Sequence, residues 1–251
     1  WIDHFVEPPT PLKPGIYHYQ SPINAPQPFR LHLRIEDNGL GILVVNASTV
    51  LHLNQTAAEY AYHRINLTTE TEVATRVARR YKIDIITAQR DYADFNDRLS
   101  TLINTKDLDP VMFLDMDRSE PHASARSAPL RIDCALTYLT GDPEIGRNSP
   151  IDRVKRELTT DEWYRILNQI WEAGIPHVVF TGGEPTLRPD LLELISYAEK
   201  VGLVTGMITN GYRLIDKTYR ENLLKSGLDH LMVVLNPENP LSWECLDCIL
   251  P

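Results

Sequence analysis

The junction at residues 175–185 constrains this chain most. There the apolar stretch Ile175-Pro176-His177-Val178-Val179 runs straight into Phe180-Thr181-Gly182-Gly183-Glu184-Pro185. A short apolar run bounded by turn residues reads as a buried strand. The two glycines permit φ > 0 and close backbone approach, and the acid and proline set the exit geometry. Beyond Thr186-Leu187-Arg188-Pro189-Asp190, apolar residues at Leu191, Leu192, Leu194, Ile195 and Ala198 recur with helical spacing. The segment therefore reads as strand, tight turn and amphipathic helix.

The same alternation governs the whole second half. A strand is expected over 130–138 and a helix over 160–173. Thr159 and Glu162 form a capping box for that helix, and Trp163, Ile166, Leu167, Ile170 and Trp171 lie on one face. Further strands are expected at 177–180, 203–209 and 230–235, with helices at 189–201 and 216–226. Parallel strands joined by crossover helices carry their site at the carboxyl ends. The candidate loops are thus 139–147, 182–185, 209–211 and 236–238.

The first half has a different pattern. Residues 1–28 hold seven prolines, from Pro8 to Pro28, and read as an extended arm with little regular structure. Strand-like runs follow at 29–36, 41–46 and 49–53, then helical patterns at 56–65, 70–81 and about 88–103. Asn54 or Gln55 can cap the first helix, and Thr69 with Glu72 spells a capping box for the second. Three strands and three helices in so short a span predict a small winged-helix domain at 29–107. A polar, proline-punctuated linker is expected at 108–128, and a partial parallel (βα) barrel at 129–251.

Both halves resemble known families. Gly182-Gly183-Glu184-Pro185 after a strand, with Leu130-Arg131-Ile132-Asp133-Cys134-Ala135-Leu136-Thr137-Tyr138 upstream, resembles the radical SAM superfamily. The resemblance implies that Gly182, Gly183, Glu184 and Pro185 hold the amino group of S-adenosylmethionine, the implied cofactor. It places Asn210 at the same edge and Asn236 near the ribose. Members of that family carry Cys-x-x-x-Cys-x-x-Cys in the loop after the first strand, as thiolate ligands of a [4Fe-4S] cluster. Here the loop has no cysteine, and the ligand positions fall on Thr140, Glu144 and Arg147. Arginine does not ligate iron and one carboxylate does not replace three thiolates, so no cluster is expected.

The run from Gly41 to Glu59 resembles PqqD-like domains, which bind the leader peptides of ribosomally made, modified peptides. That resemblance implies a peptide strand added to an exposed sheet edge. Its groove would involve Leu43, Val44 and Val45 and a helical face near Tyr92 and Phe95. The chain then reads as a non-catalytic scaffold or a peptide-binding or partner-binding subunit related to peptide-modifying maturases. The alternative is an active radical SAM enzyme whose cluster ligands come from elsewhere. The family barrel has six βα units and four strands are visible here, so a fragment, or a partner that completes the barrel, is expected.

Other classes find little support. The net charge of −9 argues against nonspecific nucleic-acid binding. Arg76, Arg79, Arg80 and Lys82 form a basic cluster, read as a solvated, dipole-favoured helix end. Three cysteines and no apolar run near 18 residues predict a cytoplasmic protein without a membrane span. Cys134 sits within a strand and reads as a small buried hydrophobe. Cys245 and Cys248 make one pair, short of the second pair or histidines that a zinc site needs. The eight histidines show no paired metal motif, and neither a nucleophile elbow nor a phosphate loop occurs.

Overall fold

The computed structural model describes residues 12–22, 25–46, 49–105, 108–109, 127–141, 154 and 156–250. It divides into two compact units, Trp1–Ser127 and Ala128–Pro251.

The first unit holds a four-stranded antiparallel sheet in the order β1 (Gly15–Gln20), β2 (Arg30–Ile35), β3 (Gly41–Val45) and β4 (Thr49–Leu53). The fourth strand corrects the expectation of a structureless arm. Between Pro14 and Pro22 lie seven residues without proline, free to donate to a ladder, and β1 pairs in register with β2 from Gly15↔Ile35 to Gln20↔Arg30. Tyr17 and Tyr19 then pack against the core formed by Leu31, Leu33, Ile35, Leu43 and Val45. The unit is therefore β4α3 and not the expected β3α3.

Helices α1 (Gln55–Ile65), α2 (Glu70–Tyr81) and α3 (Ile85–Asn104) follow the sheet. Asn54 caps α1 by accepting from the Ala57 N–H at 2.9 Å. α3 starts three residues before its expected position because Asp84 caps it, accepting from the Thr87 N–H at 2.8 Å. The expected box at α2 is incomplete. Thr69 makes no side-chain bond to the backbone, and its hydroxyl instead donates to Glu72 at 3.2 Å. Gly41 lets α1 approach β3, since a Cβ there would lie 2.7 Å from Ala58 Cβ.

The second unit is a parallel sheet in sequential order: β5 (Arg131–Thr137), β6 (His177–Gly182), β7 (Val204–Thr209) and β8 (His230–Val233). The crossovers carry α4 (Thr160–Glu172), α5 (Leu191–Val201) and α6 (Lys217–Lys225). Thr159 and Glu162 form the full capping box on α4. Trp163, Leu167, Ile170, Leu194 and Ile195 pack on Leu136, Phe180 and Met207 of the sheet. A last helix, α7 (Pro240–Ile249), was not expected and carries both Cys245 and Cys248. Among the described residues, no helix is long and apolar enough to cross a membrane.

Candidate functional site

The carboxyl edge of the parallel sheet is assembled around one buried carboxylate. Glu184 is 3% exposed. Its Oε1 accepts from the Thr186 N–H (3.0 Å), the Thr186 hydroxyl (2.6 Å) and the Thr209 hydroxyl (2.7 Å). Its Oε2 accepts from the Asn210 N–H at 2.7 Å. One side chain thus ties the turn after β6 to the end of β7. A buried carboxylate with this many donors is costly to disturb, because each donor would lose its partner away from water.

The glycines before it bring β5 and β6 together beyond their ladder. The Gly183 N–H donates to Thr137 O and the Glu184 N–H to Leu139 O, both at 2.7 Å. Gly182 has φ +131°, and a Cβ there would sit 2.2 Å from Thr137 O. A Cβ on Gly183 would sit 2.2 Å from Leu139 O. Both obstacles are backbone, so no rotamer change relieves them. The two glycines are exposed, while Pro185 is buried and opens a 3₁₀ turn, Pro185–Leu187.

Sequence reasoning missed the groups that lock this edge. Arg188, 8% exposed, donates to Leu136 O (2.9 Å) and Leu158 O (2.8 Å) and forks onto Asp190 at 2.7 and 3.0 Å. Burial alone would raise the Asp190 carboxyl. Hydrogen bonds from Arg188 and Thr160 outweigh it and hold the group below its ordinary range. Arg213 donates to Thr186 O and lies over the Tyr219 ring at 4.3 Å. The Thr137 hydroxyl donates to Glu157. Arginine is seldom buried, so nothing in the spacing of Arg188 announced its place.

Asn210 reaches the site through its backbone, while its Oδ1 accepts from the Tyr212 N–H at 3.1 Å. Asn236 lies after β8, with its N–H on the Ser242 hydroxyl (2.9 Å) and its Oδ1 on the Glu238 N–H (3.1 Å). Thr140 is half-buried, whereas Glu144 and Arg147 lie outside the described residues.

The cysteines do not fit a [4Fe-4S] cluster. Cys134 packs in the core, and burial pushes its thiol up to about 11. Cys245 is fully buried on α7 beside Gly211, and burial, then the neighbouring Cys248, raises its thiol as well. Such thiols resist the deprotonation that metal binding needs. Among the described residues, no group of three His, Cys, Asp or Glu side chains could hold a metal ion.

The strand expected to offer a peptide groove in the first unit is not a sheet edge. Leu43, Val44 and Val45 lie in β3, which is hydrogen-bonded to β2 on one side and β4 on the other, and all three are buried. A strand with two neighbours has no edge to offer. Its neighbours β2 and β4 make β3 interior with or without β1, which adds outside β2, so β1 and β4 are the outer strands. Tyr92 is buried against Tyr60, with centroids 5.4 Å apart, and half-buried Phe95 packs on the same ring at 5.9 Å.

Residues 136–236 match the family model of the radical SAM superfamily. Relatives among curated proteins include PqqA peptide cyclases. That of Bradyrhizobium diazoefficiens is 45% identical over 83 residues, 33% of this chain and 22% of the relative. That of Gluconobacter oxydans is 42% identical over 109 residues, 43% of this chain and 30% of the relative. That of Rhodopseudomonas palustris is 41% identical over 120 residues, 47% and 32%. The chain therefore spans less than a third of the length of these relatives. Among solved structures, Streptococcus suis SuiB bound to S-adenosylmethionine gives a TM-score of 0.47 at 20% identity, covering 85% of this chain and 48% of SuiB. SuiB bound to precursor peptide SuiA gives 0.45 at 19%, covering 84% and 48%.

Proposed function

We propose that this chain is a radical SAM-like recognition and scaffold component of a peptide-modifying system, without a cluster of its own. The observation that carries this reading is a mismatch at one edge. Glu184 braces the carboxyl ends of β6 and β7, yet the loop after β5 has no cysteine and Cys245, which reaches this edge beside Gly211, is buried on α7. Glu184 Oε2 accepts one internal bond and retains capacity for an ammonium donor, which the amino group of S-adenosylmethionine would supply. The exposed backbone of Gly182 and Gly183 borders that position, and Asn236 would meet the ribose. Without thiolates, the chain binds the cofactor and does not reduce it. The curated relatives are named as cyclases of a peptide, and here a peptide would pair with the outer strand β4 in place of β3.

The test is calorimetry with S-adenosylmethionine on the intact chain, beside anaerobic reconstitution with iron and sulfide. Binding is expected, weakened about tenfold or more in Glu184→Gln, the loss of roughly one charge-assisted hydrogen bond. The preparation is expected to stay colourless. A brown protein with stoichiometric iron and sulfide would overturn the scaffold reading.

A further inference from the structure

A cavity of about 460 Å³ lies in the first unit and is lined by Leu12, Glu59, Tyr62, His63, Arg76, Arg79 and Arg80. The arginines occupy positions i, i+3 and i+4 of α2, which places them on one helical face. Three guanidinium groups there meet a single carboxylate, Glu59 of α1, which is 1% exposed.

That carboxylate is already engaged. Arg80 Nε lies 3.1 Å from Glu59 Oε1 and His63 Nε2 lies 3.7 Å from it. Tyr81 leans on the same group: burial first, then the Glu59 charge and hydrogen bond, push its phenol up to about 12. Arg80 therefore neutralises the floor and leaves the other two arginines over. Arg76 makes only a 3.6 Å contact with Glu72, with both side chains more than half exposed, which contributes little. Arg79 is exposed and forms no ion pair among the described residues. A cavity walled by Leu12 and Tyr62, with two uncommitted guanidinium groups, is complementary to a carboxylate next to an apolar side chain. Its volume suits a few side chains and not a folded domain.

We infer that this cavity binds a short acidic segment of a peptide partner, with acidic side chains on Arg76 and Arg79 and an apolar residue against Leu12 and Tyr62. The inference rests on the peptide reading above but uses a different surface from the β4 edge. The basic turn of α2, which by sequence is a solvated helix end, becomes a recognition element because α1 and the segment at Leu12 enclose it.

The test measures anisotropy of fluorescein-labelled Ser-Glu-Leu-Glu-Ser amide with the intact chain, against the same peptide with glutamine for both glutamates. The acidic peptide is expected to bind at least about tenfold tighter, with affinity falling as salt rises. The Arg76→Gln/Arg79→Gln double variant should lose that preference while its thermal melt stays unchanged, since both side chains are exposed. Equal affinity for the two peptides, or an undiminished preference in the double variant, would overturn the inference. So would displacement by inorganic phosphate at equal potency, which would mark a generic anion site. Calorimetry with S-adenosylmethionine separates the two proposals: peptide discrimination without cofactor binding would keep this one and discard the cofactor site.

Discussion

The two units bury polar groups in different ways, and the contrast shows where each can do chemistry. In the first, β2 and β3 are buried along both faces, and His32, Arg34, Glu59 and His63 are enclosed with them. In the second, one face of the sheet is sealed by helices, while Arg131, Asp133 and Ala135 on the other face of β5 remain exposed. Its buried polar groups gather at the carboxyl ends of the strands, where Glu184, Thr186, Arg188 and Thr209 interlock. A buried charge needs partners to be tolerated. The first unit supplies them along β2, where Arg34 meets Glu36, and at the interhelical cavity around Glu59, and the second at the carboxyl ends of its strands.

The largest effect that would break this comparison comes from the glycine turn. Gly183→Ala drives a Cβ into the Leu139 carbonyl and should destabilise the second unit by more than about 4 kcal/mol, in the range reserved for backbone conflict. Hydrogen exchange would read it as lost protection in β5 and β6 with β1–β4 unchanged. Uniform loss across both sheets would show that the units do not respond separately.

Arg188→Leu comes next. It strips donors from Leu136 O and Leu158 O and leaves Asp190 without its partner, at a cost of about 3 kcal/mol by chemical denaturation. A cost below about 1 kcal/mol would mean that the latch is replaceable by packing.

A third test concerns His177 and His230, whose Nε2 atoms lie 3.2 Å apart. Burial, then the charge His230 would carry, lowers His177 to about 4. The unfolded chain then binds a proton more readily than the folded one, so this contribution is complete above about pH 6.5 and is lost as pH falls toward 4. The melting temperature should drop over that window, and His177→Gln should flatten the slope. An unchanged slope would remove the pair as its source.

The smallest effect sharpens the comparison at two helix starts of similar sequence. Thr159→Ala should cost about 1 kcal/mol, because both halves of its box are formed. Thr69→Ala should cost only a few tenths, because Thr69 caps no backbone N–H. Equal costs would show that the hydroxyl-to-carboxylate contact at Glu72 does the work of a cap.

Much of the second unit was legible because its strands and helices carry their own periodicity. β5 to β8 and α4 to α6 fall within a few residues of their expected ends, and Gly182 to Glu184 stand at the expected edge. The first unit was less legible at its start. Prolines at each end of 14–22 hid β1, and pairing of β3 with both β2 and β4 made it an interior strand where an edge was expected. Leu43, Val44 and Val45 therefore offer no free ladder edge to a peptide strand. α7 was missed because Cys245 and Cys248 drew the reading toward ligand chemistry, whereas Asn239 caps the helix by accepting from the Leu241 N–H at 3.0 Å.

By itself the sequence determined most of the local choices: the helices and strands of the second unit, the caps at Asn54 and Thr159, where glycine permits a turn, and that no cysteine stands in the loop after β5. These depend on neighbours a few residues apart. Only the tertiary structure decided which strand lies at an edge, that Glu184 is shared by Thr186, Thr209 and Asn210, that Arg188 is buried, and that three arginines at the end of α2 enclose a cavity with α1. Those outcomes depend on groups brought together from distant parts of the chain, where the desolvation of a charge is settled by whatever partner the fold delivers.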